Sequence, residues 1–92
     1  MPSLFTVDGY KVYFWSNEGN EPIHVHIAKK TPVPNGTKVW LTKEGGCILA
    51  GNGSNIPEHD LNELMEIISA QFFRICSEWK KFYDTEEIRF YC

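Results

Sequence analysis

Apolar and polar positions change period once along this chain, and the change divides it into two parts. Up to about residue 50 the apolar residues alternate or run together in short blocks separated by turn residues, as strands do. Leu4-Phe5-Thr6-Val7 and Tyr10-Lys11-Val12-Tyr13-Phe14-Trp15 flank Asp8-Gly9, and Asp-Gly between apolar runs is a strong hairpin signal. Pro22 biases Glu21 towards an extended backbone just before Ile23-His24-Val25-His26-Ile27. The turn-rich stretch Thr31-Pro32-Val33-Pro34-Asn35-Gly36 leads into Thr37-Lys38-Val39-Trp40-Leu41, and Glu44-Gly45-Gly46 turns the chain into Cys47-Ile48-Leu49-Ala50. From Pro57 onwards the spacing becomes three and four: Leu61, Leu64, Met65, Ile68, Phe72, Ile75, Cys76, Trp79, Phe82 and Tyr83. Asn55 with Glu58 reads as a capping box, and Pro57 suits a first turn. Glu58, Asp60 and Glu63 complement the helix dipole at one end, as Lys80 and Lys81 do at the other.

The expected fold is α+β, a single domain over 1–92. A four- to five-stranded, mostly antiparallel sheet occupies about 3–50, one long amphipathic helix over about 57–83, with two helices and a bend as the alternative, crosses one face, and a tail follows over 84–92. The tail is read as an edge strand, a docked extension or a loose end. Alternation places Ile23, Val25 and Ile27 under the helix with Val12, Phe14, Val39 and Leu41. The opposite face then displays Lys11, Tyr13, Trp15, His24, His26, Lys38 and Trp40, where a solvent-facing sheet ordinarily carries Thr, Lys and Glu.

Composition narrows the class. The 92 residues are 42% hydrophobic and 23% charged, as in globular proteins. A formal charge of -3 argues against broad electrostatic capture of nucleic acid or anionic membrane. No run reaches the ~20 apolar residues of a membrane span, and a cytoplasmic protein is expected. Cys47, Cys76 and Cys92 form neither a disulfide framework nor a zinc knuckle; the first two read as packed thiols.

The candidate chemistry lies in His24 and His26, roughly 6.6 Å apart on one strand face at ~3.3 Å of rise per residue. Imidazole transfers protons near neutral pH and binds borderline metals. Three readings stay open. Both rings can be packed or surface imidazoles bonded to backbone or carboxylates. They can form a metal-independent acid–base pair cleaving an RNA phosphodiester, with Lys11, Lys29, Lys30 or Lys38 steadying the phosphate. Or they can supply half of a tetrahedral shell for zinc or another divalent transition metal, which His59, Glu21 or a cysteine would complete without diagnostic spacing. Tyr13, Trp15 and Trp40 suit stacking on RNA bases or a protein interface, and net acidity favours the interface, with a protein partner or a homodimer. Ser16, Asn17 and Glu21 read as residues that set the turn, and Trp79 with Phe72 and Phe73 as core or helix-surface packing.

Asp8-Gly9-Tyr10, Tyr13-Phe14-Trp15-Ser16-Asn17-Glu18, Pro22-Ile23-His24-Val25-His26-Ile27, Val39-Trp40-Leu41 and Glu78-Trp79-Lys80-Lys81-Phe82-Tyr83 together carry a resemblance. The chain resembles a bacterial family catalogued as domain of unknown function forty-one sixty, whose short members share a Ser-Asn-(acidic) segment leading through proline into His-Val-His. The resemblance implies no established activity. It does imply a partner, because members are often encoded beside another small protein in an arrangement reminiscent of toxin–antitoxin pairs. The connection from Pro32 to Gly36 and the tail beyond Tyr83 depart from the family pattern.

Overall fold

A computed structural model of the protein describes residues 3–15, 20–29 and 36–92. Five strands, β1 (Ser3–Val7), β2 (Tyr10–Tyr13), β3 (His24–Ala28), β4 (Thr37–Leu41) and β5 (Cys47–Asn52), form one sheet in sequential order. Every neighbouring pair is antiparallel. Asp8 and Gly9 both adopt positive φ, 48° and 84°, so the β1–β2 turn has the backbone twist that matches the strands it joins. Between β4 and β5 the Thr42 side chain accepts from the Gly46 N–H at 3.1 Å, while Gly45 takes φ 92°. The β4–β5 register shifts by one residue, Lys38 facing Gly51 and Val39 facing Leu49, which leaves Ala50 as a bulge.

The helical segment is two helices, α1 (Glu58–Ala70) and α2 (Phe72–Phe82), and not one long helix. The break is at Gln71, φ -100° and ψ 17°, whose N–H is shared between the Ile67 and Ile68 carbonyls. Leu61, Leu64 and Ile68 are buried before it and Phe72, Ile75 and Trp79 after it, so the apolar stripe keeps its phase across the bend. The expected Asn55–Glu58 capping box is also corrected. Pro57 holds the cap position without a side-chain bond, and Asn55 turns with φ 55°. Asn52 orders the approach instead, donating to the Ile56 carbonyl at 2.9 Å and accepting the Ile56 N–H at 3.0 Å.

Val12, Phe14, Val25, Ile27, Val39 and Leu41 share one buried cluster with Leu61, Leu64, Ile68, Ile75 and Trp79. Polar links also join strands to helices. The Tyr10 hydroxyl donates to Asp60 at 2.8 Å, the Cys47 thiol to the Met65 carbonyl at 3.3 Å, and the Arg74 guanidinium to the Leu4 carbonyl at 3.0 Å. All three cysteines are free. Beyond α2 the tail is a docked extension without helix or strand, and Ile23 N–H donates to the Arg89 carbonyl at 2.8 Å. Among the described residues, no helix is long and apolar enough to cross a membrane.

Candidate functional site

β3 is the central strand, and its buried character on both faces sets the site. Register pairs His24 with Trp40, His26 with Lys38 and Tyr13 with His26, which puts all five on one side of the sheet. Val25, opposite Val39, lies in the apolar core. The alternation expected from the sequence is therefore present, and the expectation that this face is displayed is corrected: His24 is 1% exposed, His26 4% and Tyr13 1%.

The two imidazoles meet edge to face, with ring centroids 5.0 Å apart. His24 also contacts Trp40 at 5.4 Å and Trp79 of α2 at 5.5 Å. His26 stacks on Tyr13 at 5.6 Å and meets Trp15 at 6.1 Å. Trp40 is covered in turn by Tyr91 of the tail, whose ring lies parallel to it at 4.9 Å. The result is a chain of rings running from the sheet interior to the surface. A carbonyl oxygen can only accept, so the 2.8 Å contact of His24 Nδ1 with the Pro22 carbonyl places a proton on Nδ1. A neutral His24 then carries its lone pair on Nε2.

The cations expected to steady a phosphate are dispersed. Lys38 donates to Glu21 at 2.8 Å, and its Nζ lies 4.2 Å from the centre of the Trp40 ring. Lys29 lies over Tyr10 on the strand's far end, Lys11 is exposed, and Lys30 falls outside the described residues, as do Ser16 and Asn17. Trp15 and Trp40 are half-buried. His59 is not brought to the pair; it lies on the exposed side of α1, 3.5 Å from Glu63. Among the described residues no group of three or more His, Cys, Asp or Glu side chains that could hold a metal ion is found.

Two contributors were not singled out as site residues by the sequence. The helical spacing of Trp79 predicts packing, which the structure shows, and the same indole also contacts His24. Tyr91 sits in a tail whose signal was the alternation of Ile88 and Phe90 with Arg89 and Tyr91. Phe73, 85% exposed, packs at the helix surface, its ring edge to face with Phe72 at 5.4 Å.

Residues 9–80 match the family described as Domain of unknown function (DUF4160). The chain belongs to that family. No curated protein and no solved structure matches it. The match covers both histidines, β2 to β5, α1 and most of α2, and it stops before the tail that covers Trp40.

Proposed function

We propose that this member of the DUF4160 family is a small protein-interaction module that receives an extended segment of its partner along β5, in the manner of one component of a toxin–antitoxin-like pair. One observation carries the reading. Among the described residues β5 pairs on one side only, with β4, and its sequence Cys-Ile-Leu-Ala-Gly-Asn holds no charge and no proline, although Ile48 is 37% and Leu49 41% exposed. Edge strands are normally protected by lysine, proline or a covering element, because their open N–H and C=O groups template pairing with another chain. The Ala50 bulge limits the flat stretch to Cys47–Leu49, enough to start a β-augmented contact whose specificity comes from Ile48 and Leu49 on opposite faces.

The endoribonuclease reading asks more of this geometry. A general base must come within hydrogen-bond reach of the proton it removes, and both imidazoles are enclosed by aromatic rings while Lys38 is engaged by Glu21. The interaction reading is tested with the full chain. Ile48→Lys and Leu49→Lys are expected to keep the fold, since substitutions at such positions rarely cost more than ~0.5 kcal/mol. Both are expected to lose the homodimer or partner complex that the wild type shows by light scattering and native co-purification. A wild type that stays monomeric at high concentration and retains no partner overturns the reading.

A further inference from the structure

The tail is held as a bound peptide is held. From Glu86 onwards it has no helix or strand, and its order comes from what it touches. Arg89 accepts the Ile23 N–H through its carbonyl at 2.8 Å, and its guanidinium donates to the Asn20 carbonyl. Cys92 accepts the Lys43 N–H at 3.0 Å, so the segment bridges the start of β3 and the end of β4. Ile88 and Phe90 pack against the core, Phe90 parallel to Phe72 of α2 at 6.1 Å, while Tyr91 lies flat on Trp40. Tyr91 is nevertheless 59% exposed, which makes its ring the accessible end of the contact.

The receiving residues Asn20, Ile23, Trp40, Lys43 and Phe72 all fall within the family match over residues 9–80, and the segment that fills their groove falls outside it. The tether turns at Asp84, which closes α2 with φ 50° in the left-handed region that favours glycine. From these observations we propose that this groove is a docking site for an extended protein segment with the pattern aliphatic-x-aromatic-aromatic, occupied in cis by Ile88–Tyr91 and open to the same pattern from a second protein chain. The Arg89 carbonyl, an apolar pair facing inward and one flat aromatic ring define what fits, and the Cys92 carbonyl one residue beyond the pattern ends the contact. Displacing the tail uncovers Trp40, frees the Ile23 N–H and loosens the wall beside His24. The end of the tail meets β5, where Lys43 and Cys92 line one cavity with Cys47 and Ile48, but exchange at Ile23 reads this groove and light scattering of the Ile48 and Leu49 variants reads the β5 edge, so the two readings fail distinguishably.

The test uses the full chain with Tyr91→Ala, followed by amide hydrogen exchange and by carbethoxylation of the three histidines. Loss of one ring stack is expected to speed exchange at Ile23 about tenfold. The Val25 amide is expected to stay at its wild-type rate, and His24 to become more reactive relative to exposed His59. A synthetic peptide of residues 85–92 carrying Cys92→Ser, added in trans, is expected to restore Ile23 protection, and the same peptide with Tyr91→Ala is not. If Val25 exchange rises as well, Tyr91→Leu replaces the alanine variant. Wild-type exchange at Ile23 in the variants, or no recovery with excess Cys92→Ser peptide that keeps Tyr91, overturns the proposal.

Discussion

His24 and His26 are as deeply buried as the aliphatic residues between which they alternate, and that governs how any substitution there must be read. Removing the His24 imidazole leaves a hole against Trp40, Trp79 and His26 and strips the Pro22 carbonyl of its donor. By analogy with other large-to-small core changes, His24→Ala and His26→Ala are each expected to lower unfolding free energy by about 2–4 kcal/mol, measured by urea titration. A loss near zero would mean that the rings are not packed as described. Activity measured on either variant therefore has to be normalised to its folded fraction, because a domain of this size has roughly 5–15 kcal/mol to lose. The shared face of these residues was legible from alternation, since a strand has only two sides. Its burial was not, because the rings that cover it come from Trp79 and Tyr91, far along the chain, and a period says nothing about what lies opposite.

At the scale of elements, turns announced themselves where a residue type answered a backbone need. Asp8-Gly9 supplies two positive φ values in a row, and Gly45 supplies one. The spacing allows a bend but does not place it at Gln71, because no glycine or proline marks the break and the buried stripe continues through it. Asn55 looked like a cap by spacing, yet Asn52 bonds both Ile56 backbone groups and also accepts the Thr37 hydroxyl at 2.6 Å. The end of α2 closes in the opposite fashion, with the chemistry of a glycine cap carried by an aspartate. Thr85 N–H donates to the Lys80 carbonyl at 3.0 Å and Asp84 N–H to the Lys81 carbonyl at 3.4 Å, the paired bonds of a Schellman ending, which favours glycine at the left-handed position. Asp84→Gly is accordingly expected to raise stability by ~1 kcal/mol, read as a higher urea midpoint at unchanged slope. A lower midpoint would show that the aspartate side chain contributes more than its backbone conformation costs.

At the scale of the whole molecule, Tyr10, Cys47 and Cys76 have proton affinities displaced in the same direction, upward. The hydrogen bond to Asp60 raises the Tyr10 phenol above its ordinary value, with burial and the carboxylate charge adding to it. Burial raises the Cys47 thiol, partly offset by the Ser69 hydroxyl, and raises the Cys76 thiol, partly offset by the Lys80 ammonium. Each group keeps its proton to higher pH when folded than when unfolded. The native state thus binds more protons through the alkaline range, and unfolding free energy must fall as pH rises. The contribution is fully present below the unfolded values, about 8.5 for cysteine and about 10 for tyrosine, and is lost as pH climbs through the higher folded ones. Urea midpoints are therefore expected to be level near pH 7 and to decline above about pH 8.5, with a second decline beyond pH 10. Tyr10→Phe separates the steps. It is expected to cost about 1–2 kcal/mol at pH 7 by removing a bond to a carboxylate. Because phenylalanine has no proton to lose, its curve should approach the wild type's above pH 10, while Cys47→Ala with Cys76→Ala should flatten the earlier decline. Parallel curves for wild type and Tyr10→Phe across that range would mean that the Tyr10–Asp60 bond does not join β2 to α1 in solution.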